Sequence, residues 1–190
     1  MAMIKDGVAH FAIDAKTSLF TVQAFAAGLA SVVAHSPSFA VRDLVGDMEF
    51  VPGSMKDAAV HLMFNLRSLE ILDEVSRFDR REIERVMFDE VLETAKYPKV
   101  RYESTRVKIT DAGESICRAD VDGDLTLHGV TRGVSLDAQI VIGEDTLRAQ
   151  GSFSLAQTDY GLKIASVAGG TLKLREELKC HFFILANRQA

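Results

Sequence analysis

The stretch Ile116-Cys117-Arg118-Ala119-Asp120-Val121-Asp122-Gly123-Asp124-Leu125-Thr126-Leu127-His128 decides the fold. Its residues alternate in character. Cys117, Ala119, Val121, Gly123, Leu125 and Leu127 fall on one side of an extended chain, and Arg118, Asp120, Asp122, Asp124, Thr126 and His128 on the other. A period of two with one apolar and one charged side marks a strand with a dry face and a wet face. Gly129-Val130-Thr131-Arg132-Gly133 then reads as a tight connection, after which Val134, Leu136, Ala138, Ile140 and Ile142 resume the pattern. Gly143-Glu144-Asp145 reads as a turn, and Leu147, Ala149, Gly151, Phe153 and Leu155 follow at the same period. Strands joined by such short loops predict an antiparallel meander.

The pattern extends outward in both directions. Toward the N-terminus, Phe11 and Ile13 share a face, as do Phe20, Val22 and Ala24, and as do Val60, Leu62, Phe64 and Leu66. Toward the C-terminus, Leu178, Cys180, Phe182, Ile184 and Ala186 line one side of a final strand. Residues 73–96 break the rule. Val75, Phe78, Val86, Met87, Val91 and Leu92 fit an interrupted helical stripe among charges, and Asp73/Arg77, Arg80/Glu84 and Arg85/Asp89 have the spacing of helical ion pairs. Tyr97-Pro98 ends this helix, because the residue before proline is driven out of the α region. About eight short strands with one helical insertion predict an all-β barrel or sandwich. A closed barrel removes exposed edges and, at eight strands, is wide enough to be filled by side chains or to hold one ligand.

Composition narrows the function. The 190 residues, 47% hydrophobic and 26% charged, with three prolines and no Pro/Gly/Ser-rich linker, predict one domain spanning residues 1–190. The net charge of −5 with no basic run argues against a nucleic-acid partner. The apolar run from Ala24 to Ala34 imitates a secretory leader. Over twenty residues precede it, however, including Asp6, His10 and Asp14, and at 11 residues it is too short to span a bilayer. A cytoplasmic location with no membrane span is the expectation. It fits Cys117 and Cys180 being reduced thiols, although their spacing alone leaves a disulfide open.

Catalytic motifs are missing. There is no GxSxG, P-loop or GxGxxG, and His10, His35, His61, His128 and His181 lack metal-ligand spacing. His61, His128 and His181 are read as hydrogen-bonded residues on polar strand faces. Gly169-Gly170 reads as a hairpin turn before the last strand rather than an anion nest. Arg77, Arg80, Arg81 and Arg85 form a patch that could receive a phosphate head group, or else a salt-bridged solvated face.

Four stretches in fixed order carry a resemblance over about residues 11–187. They are Phe11-Ala12-Ile13-Asp14 shortly before Thr17-Ser18-Leu19-Phe20; Asp79-Arg80-Arg81-Glu82 leading to Lys96-Tyr97-Pro98-Lys99-Val100; Gly123-Asp124-Leu125-Thr126-Leu127-His128-Gly129-Val130-Thr131; and Thr158-Asp159-Tyr160-Gly161 with Ser166-Val167-Ala168-Gly169-Gly170. Together they resemble the YceI-like family of lipocalin-like, polyisoprenoid-binding proteins. The resemblance implies an eight-stranded antiparallel barrel with a helix inserted before Tyr97-Pro98. It also implies an elongated pore for a polyisoprenoid such as an isoprenoid quinone or polyprenyl phosphate. The chain departs from many members by carrying Phe11 in place of a tryptophan, and Thr17 and Ala26 in place of histidines.

The expected function is therefore non-enzymatic binding and carriage of an apolar lipid, with no catalytic residue, no metal and no cofactor beyond a bound isoprenoid lipid or quinone. Alternation assigns the lining to Phe20, Val22, Leu62, Phe64, Val121, Leu125, Leu136, Ile140, Phe153, Leu155, Phe182 and Ile184. The alternative is a filled barrel serving as a stress-response or interaction domain without a ligand. Oligomeric state is not fixed by the sequence, a homodimer being one option.

Overall fold

The alternation over 116–128 is realised as one strand of a hairpin whose turn is shorter than the sequence suggests. In the computed structural model, which describes residues 7–27, 36–52, 56–112, 116–167 and 172–189, Leu127 pairs with Val130 across a two-residue turn. His128 and Gly129 form that turn with φ of +53° and +75°. Positive φ at both central positions matches the right-handed twist of the flanking strands. A Cβ at Gly129 would also lie 2.8 Å from the Tyr97 ring. Residues 130–133 therefore belong to the second strand and not to a loop.

Among the described residues, twelve strands follow: β1 Ala9–Ile13, β2 Leu19–Ala27, β3 Ser38–Val41, β4 Leu44–Val51, β5 Lys56–Asn65, β6 Leu69–Ile71, β7 Lys99–Ala112, β8 Ile116–Leu127, β9 Val130–Ile142, β10 Thr146–Ala156, β11 Ser166–Val167 and β12 Leu172–Arg188. They occupy eight positions around a closed antiparallel barrel. β1 and β2 pair with the same edge of β12, β4 and β3 pair with β1 and β2 in turn, and β5 and β6 pair with β4 and β3. These six are three bent strands. β7, β8, β9 and β10 complete the circuit to β12, and β11 is a short flap on the start of β12.

The three bends lie side by side, and the second and third share hydrogen bonds. At the first, the Asp14 carboxylate accepts from Lys16 N and Thr17 Oγ1, both at 3.0 Å, and the Thr17 bond chiefly holds its pKa below the ordinary carboxylate value. At the second, Arg42 N and Asp43 N donate to Ser68 Oγ at 3.2 and 2.8 Å. At the third, Asn65 caps the 3-10 turn Leu66–Ser68 by accepting from Arg67 N.

The alternation places charge outside. Arg106 and Ser135 both reach Asp122, His61 meets Asp47 at 3.0 Å and His10 meets Glu49 at 3.3 Å, all across neighbouring strands. Inside, the end of the barrel holding β1 is closed by Phe11 stacked on Phe50, centroids 5.5 Å apart, and by buried Ala9, Met48, Leu147 and Ala186. The interior of the other half stays open.

That other end is covered by the helical insertion, which is shorter than residues 73–96. Ser76 caps α1 Arg77–Arg85 by accepting from Asp79 N, and a wider π-type turn, Val86–Val91, continues it. None of the three expected ion pairs forms. Residues 73–75 precede the helix, and Asp73 instead accepts from Ser38 N at 2.7 Å. Arg80 donates to the carbonyls of Ile71 and Asp73, and Arg85 pairs with Glu82 and Glu90. Phe78, expected on the apolar stripe, is 80% exposed. No helix among the described residues is long and apolar enough to cross a membrane. The apolar run at 24–34 falls outside the described residues from residue 28 onward, as do His35 and Gly169-Gly170.

Candidate ligand-binding cavity

Each inward position of a strand contributes one side chain to the barrel interior, so the dry face of the alternation becomes a wall. Around the helix-covered half these side chains surround a cavity of about 350 Å³. All twelve residues assigned from alternation lie on its wall. An aromatic cluster crosses it, with Phe20 4.7 Å from Phe64 and 6.3 Å from Phe153, centroid to centroid. Ile83, Val86, Met87, Val91 and Leu92 supply its cover. The interrupted helical stripe was the sign of four of these, all but Ile83, since a helix lying across a barrel mouth needs only one apolar side.

The polar fittings were not foreseen. Among the described residues the wall includes Asp73, Tyr102, Gln157 and Cys180, and everything else on it is hydrocarbon or thioether. Asp73 and Gln157 each occupy the next alternate position after a strand ends, following Leu69 and Ile71 in one case and Phe153 and Leu155 in the other. Period two, carried past the strand boundary, would have found both. Tyr102 donates its hydroxyl to Val121 O at 3.1 Å, and its pKa is raised, first by burial and then by Asp122 and Asp124 outside. Gln157 is 3% exposed and donates Nε2 to Arg175 O at 2.9 Å.

Beside the cavity, the end of the insertion is clamped to the barrel rim. His128 is not on a wet strand face but in the hairpin turn, with its side chain 12% exposed. Its Nε2 lies 2.8 Å from Glu93 Oε2 and its Nδ1 3.3 Å from Tyr160 O, and Tyr97 packs on its ring at 4.3 Å. Glu93 itself takes a positive φ of +45°. The arginine patch is dispersed: Arg80 and Arg85 are held as described, and none of the four lines the cavity. No group of three or more His, Cys, Asp or Glu among the described residues is placed to hold a metal ion.

Both cysteines are free thiols. Burial pushes the Cys180 thiol up to about 12 from an ordinary 9.0, and raises that of half-buried Cys117 as well. A group whose native pKa is raised adds stability below its unfolded value and loses it as pH climbs toward the native one. Denaturant midpoints are therefore expected to fall between pH 9 and 11 more steeply for the natural chain than for Cys180→Ala. Iodoacetamide at pH 8 should spare Cys180 until the protein is unfolded. Rapid labelling of Cys180 in the native state would contradict its burial.

Comparison with known proteins places this geometry in context. Residues 11–183 match the family described as YceI-like domain. A UPF0312 protein of Pseudomonas putida is 30% identical over 134 residues, 67% of this chain and 66% of that one. Another, from Pseudomonas savastanoi, is 42% identical over 89 residues, 44% of each, and one from Vibrio parahaemolyticus is 30% identical over 96 residues, 50% of this chain and 46% of that one. The chain thus spans about half the length of these last two relatives. Among solved structures, a polyisoprenoid binding domain from Saccharophagus degradans superposes with a TM-score of 0.69 at 16% identity, covering 96% of this chain and all of that one. BcnA of Burkholderia cenocepacia superposes with a TM-score of 0.70 at 14% identity, covering 91% and 98%. At such identities the likeness concerns the fold.

Proposed function

We propose that this chain, which belongs to the YceI-like domain family, binds and carries a polyisoprenoid lipid in its barrel without transforming it. The observation that carries the reading is the apolar cavity of about 350 Å³ beneath a helical cover. Burying a methylene in such a setting is worth about 0.8 kcal/mol, so a branched hydrocarbon chain gains affinity along its whole length from hydrocarbon lining alone. The twelve wall residues from Phe20 to Ile184 are the proposed contacts, with an isoprenoid quinone or a polyprenyl phosphate as the ligand class. The printed description of the Saccharophagus degradans neighbour as polyisoprenoid binding supports the same class.

The rest of the proposal follows from this. The protein acts as one domain with no nucleic-acid partner and no catalytic residue. Its cytoplasmic location goes with two thiols that are not joined. A filled barrel acting only as an interaction domain is the less favoured reading, because the interior is open.

Native mass spectrometry of protein purified from its own host, followed by solvent extraction, tests the proposal. A stoichiometric isoprenoid is the expected result. An empty protein that also fails to bind added quinones and polyprenyl phosphates would overturn it.

A further inference from the structure

The cavity has a floor. Its wall runs from Leu127 down to Val121 on β8, from Leu155 to Ala149 on β10 and from Leu178 to Ile184 on β12. On each strand the next inward residue, Ala119, Leu147 or Ala186, is buried and no longer borders the open space. On β4 the same step leads from Met48, which is on the wall, to Phe50, which is not. The Phe50 ring lies nearly parallel to that of Phe11, at 7°, and fills the end of the barrel. Six residues of strand rise about 20 Å, and at a strand tilt of about 40° this amounts to about 15 Å of depth. An extended chain advances about 1.2 Å per bond, so an isoprene unit, four bonds long, advances about 5 Å. Volume gives the same limit. Five carbons at interior packing density need about 100 Å³, and the cavity holds about 350 Å³. On one side the wall rises further, through Ala24, Pro37 and Leu174, and leaves room for a head group.

We propose that the barrel selects its ligand by length, that about three isoprene units fill it, and that the stacked Phe11 and Phe50 rings form the floor that sets the limit. The inference rests on the carrier reading above and deepens it, by naming short-chain isoprenoids as the ligand class. Each buried methylene adds affinity only while there is wall to cover it. A fourth unit finds none. It stays in water at the mouth or pushes against the helical cover, and in neither case does it tighten binding.

Prenyl alcohols of two, three, four and five units differ in length alone. By competition with a fluorescent apolar probe, at concentrations where the alcohols stay dispersed, the natural chain is expected to bind the three-unit alcohol at least about tenfold more tightly than the two-unit one. The four- and five-unit alcohols should bind no more than about threefold more tightly than the three-unit one. Ala149→Phe puts a ring on the floor and should move the break down, so that two and three units bind alike. Phe50→Ala lowers the floor and should let the gain continue to the fourth unit. Melting curves establish that each variant is folded. A larger gain at the fourth or fifth unit, or equal binding of two and three units, in the natural chain overturns the length limit and leaves the carrier reading standing. That comparison needs no variant. A folded Phe50→Ala that still breaks at three units overturns the role of the phenylalanine pair, and a folded Ala149→Phe that does so overturns the placement of the ligand tail on the floor. Failure of all four alcohols to bind the natural chain overturns the carrier reading and the length limit together.

Discussion

Leu125→Arg is expected to lower the affinity for any isoprenoid by at least about a hundredfold. Leu125 is 5% exposed on the inner face of β8 and lines the cavity. An arginine there sends a guanidinium into a wall of hydrocarbon. Transfer of an unpaired charge from water into such surroundings costs several kcal/mol, and the charge drags water into the space that the chain of the ligand should fill. Some of that cost falls on the fold itself, so a companion is needed. Ala138→Phe fills the same cavity from β9 with no polar atom. It should weaken binding by about tenfold or more while leaving the melting temperature close to that of the natural chain, because it enters open space. Titration with an isoprenoid and a thermal melt on both variants give the answer. A folded Leu125→Arg protein with natural affinity would show that the ligand does not use this face.

Gly123→Val should be strongly destabilising. A Cβ at Gly123 would stand 2.6 Å from the Glu103 carbonyl and 2.6 Å from Tyr102 Cζ. Neither can retreat. The first belongs to β7, paired with β8 along its length, and the second is a ring that is 3% exposed and hydrogen-bonded to Val121. A loss of about 3–5 kcal/mol, or about 10 °C in melting temperature, is expected. Gly133→Val is the control, since a Cβ at Gly133 meets nothing within 4 Å. It should move stability by less than about 0.5 kcal/mol. If the two valines melted alike, the packing of Tyr102 over Gly123 would be refuted.

Much of this barrel is legible in the sequence because period two is an unambiguous sign when one face is charged. β8 and β10 read cleanly, as do β9 from Val134 and β12 from Leu178 onward, since wet faces carry residues such as Asp120, Asp122 and Lys179. β3 and β4 did not, because the bend at Arg42-Asp43 resets the alternation between Phe39, Val41 and Leu44. β7 was not read as a strand, its pattern being blurred by the register slips near Thr105 and Thr110. At the site, the apolar wall was visible strand by strand, whereas Asp73, Tyr102 and Gln157 were not. The partner that orients Gln157 lies at Arg175 on another strand, and no local pattern in the sequence carries a contact of that kind. The same is true of His128, whose partners Glu93, Tyr97 and Tyr160 come from two distant segments.

The seam of the barrel joins segments that lie nearly a full chain length apart, β12 closing on β1 and β2. During synthesis this has an unavoidable order. Leu174, Leu178, Cys180, Phe182 and Ile184 all come from β12, so the pocket has no complete wall until the chain has been made as far as β12. Pairings between such remote segments are also slow to find, because loop closure has to precede any reward. Under the carrier reading proposed above, the ligand is therefore expected to enter only after β12 has closed the barrel. Once inside, it favours the closed seam over the open one, and the loaded barrel should resist unfolding longer than the empty one.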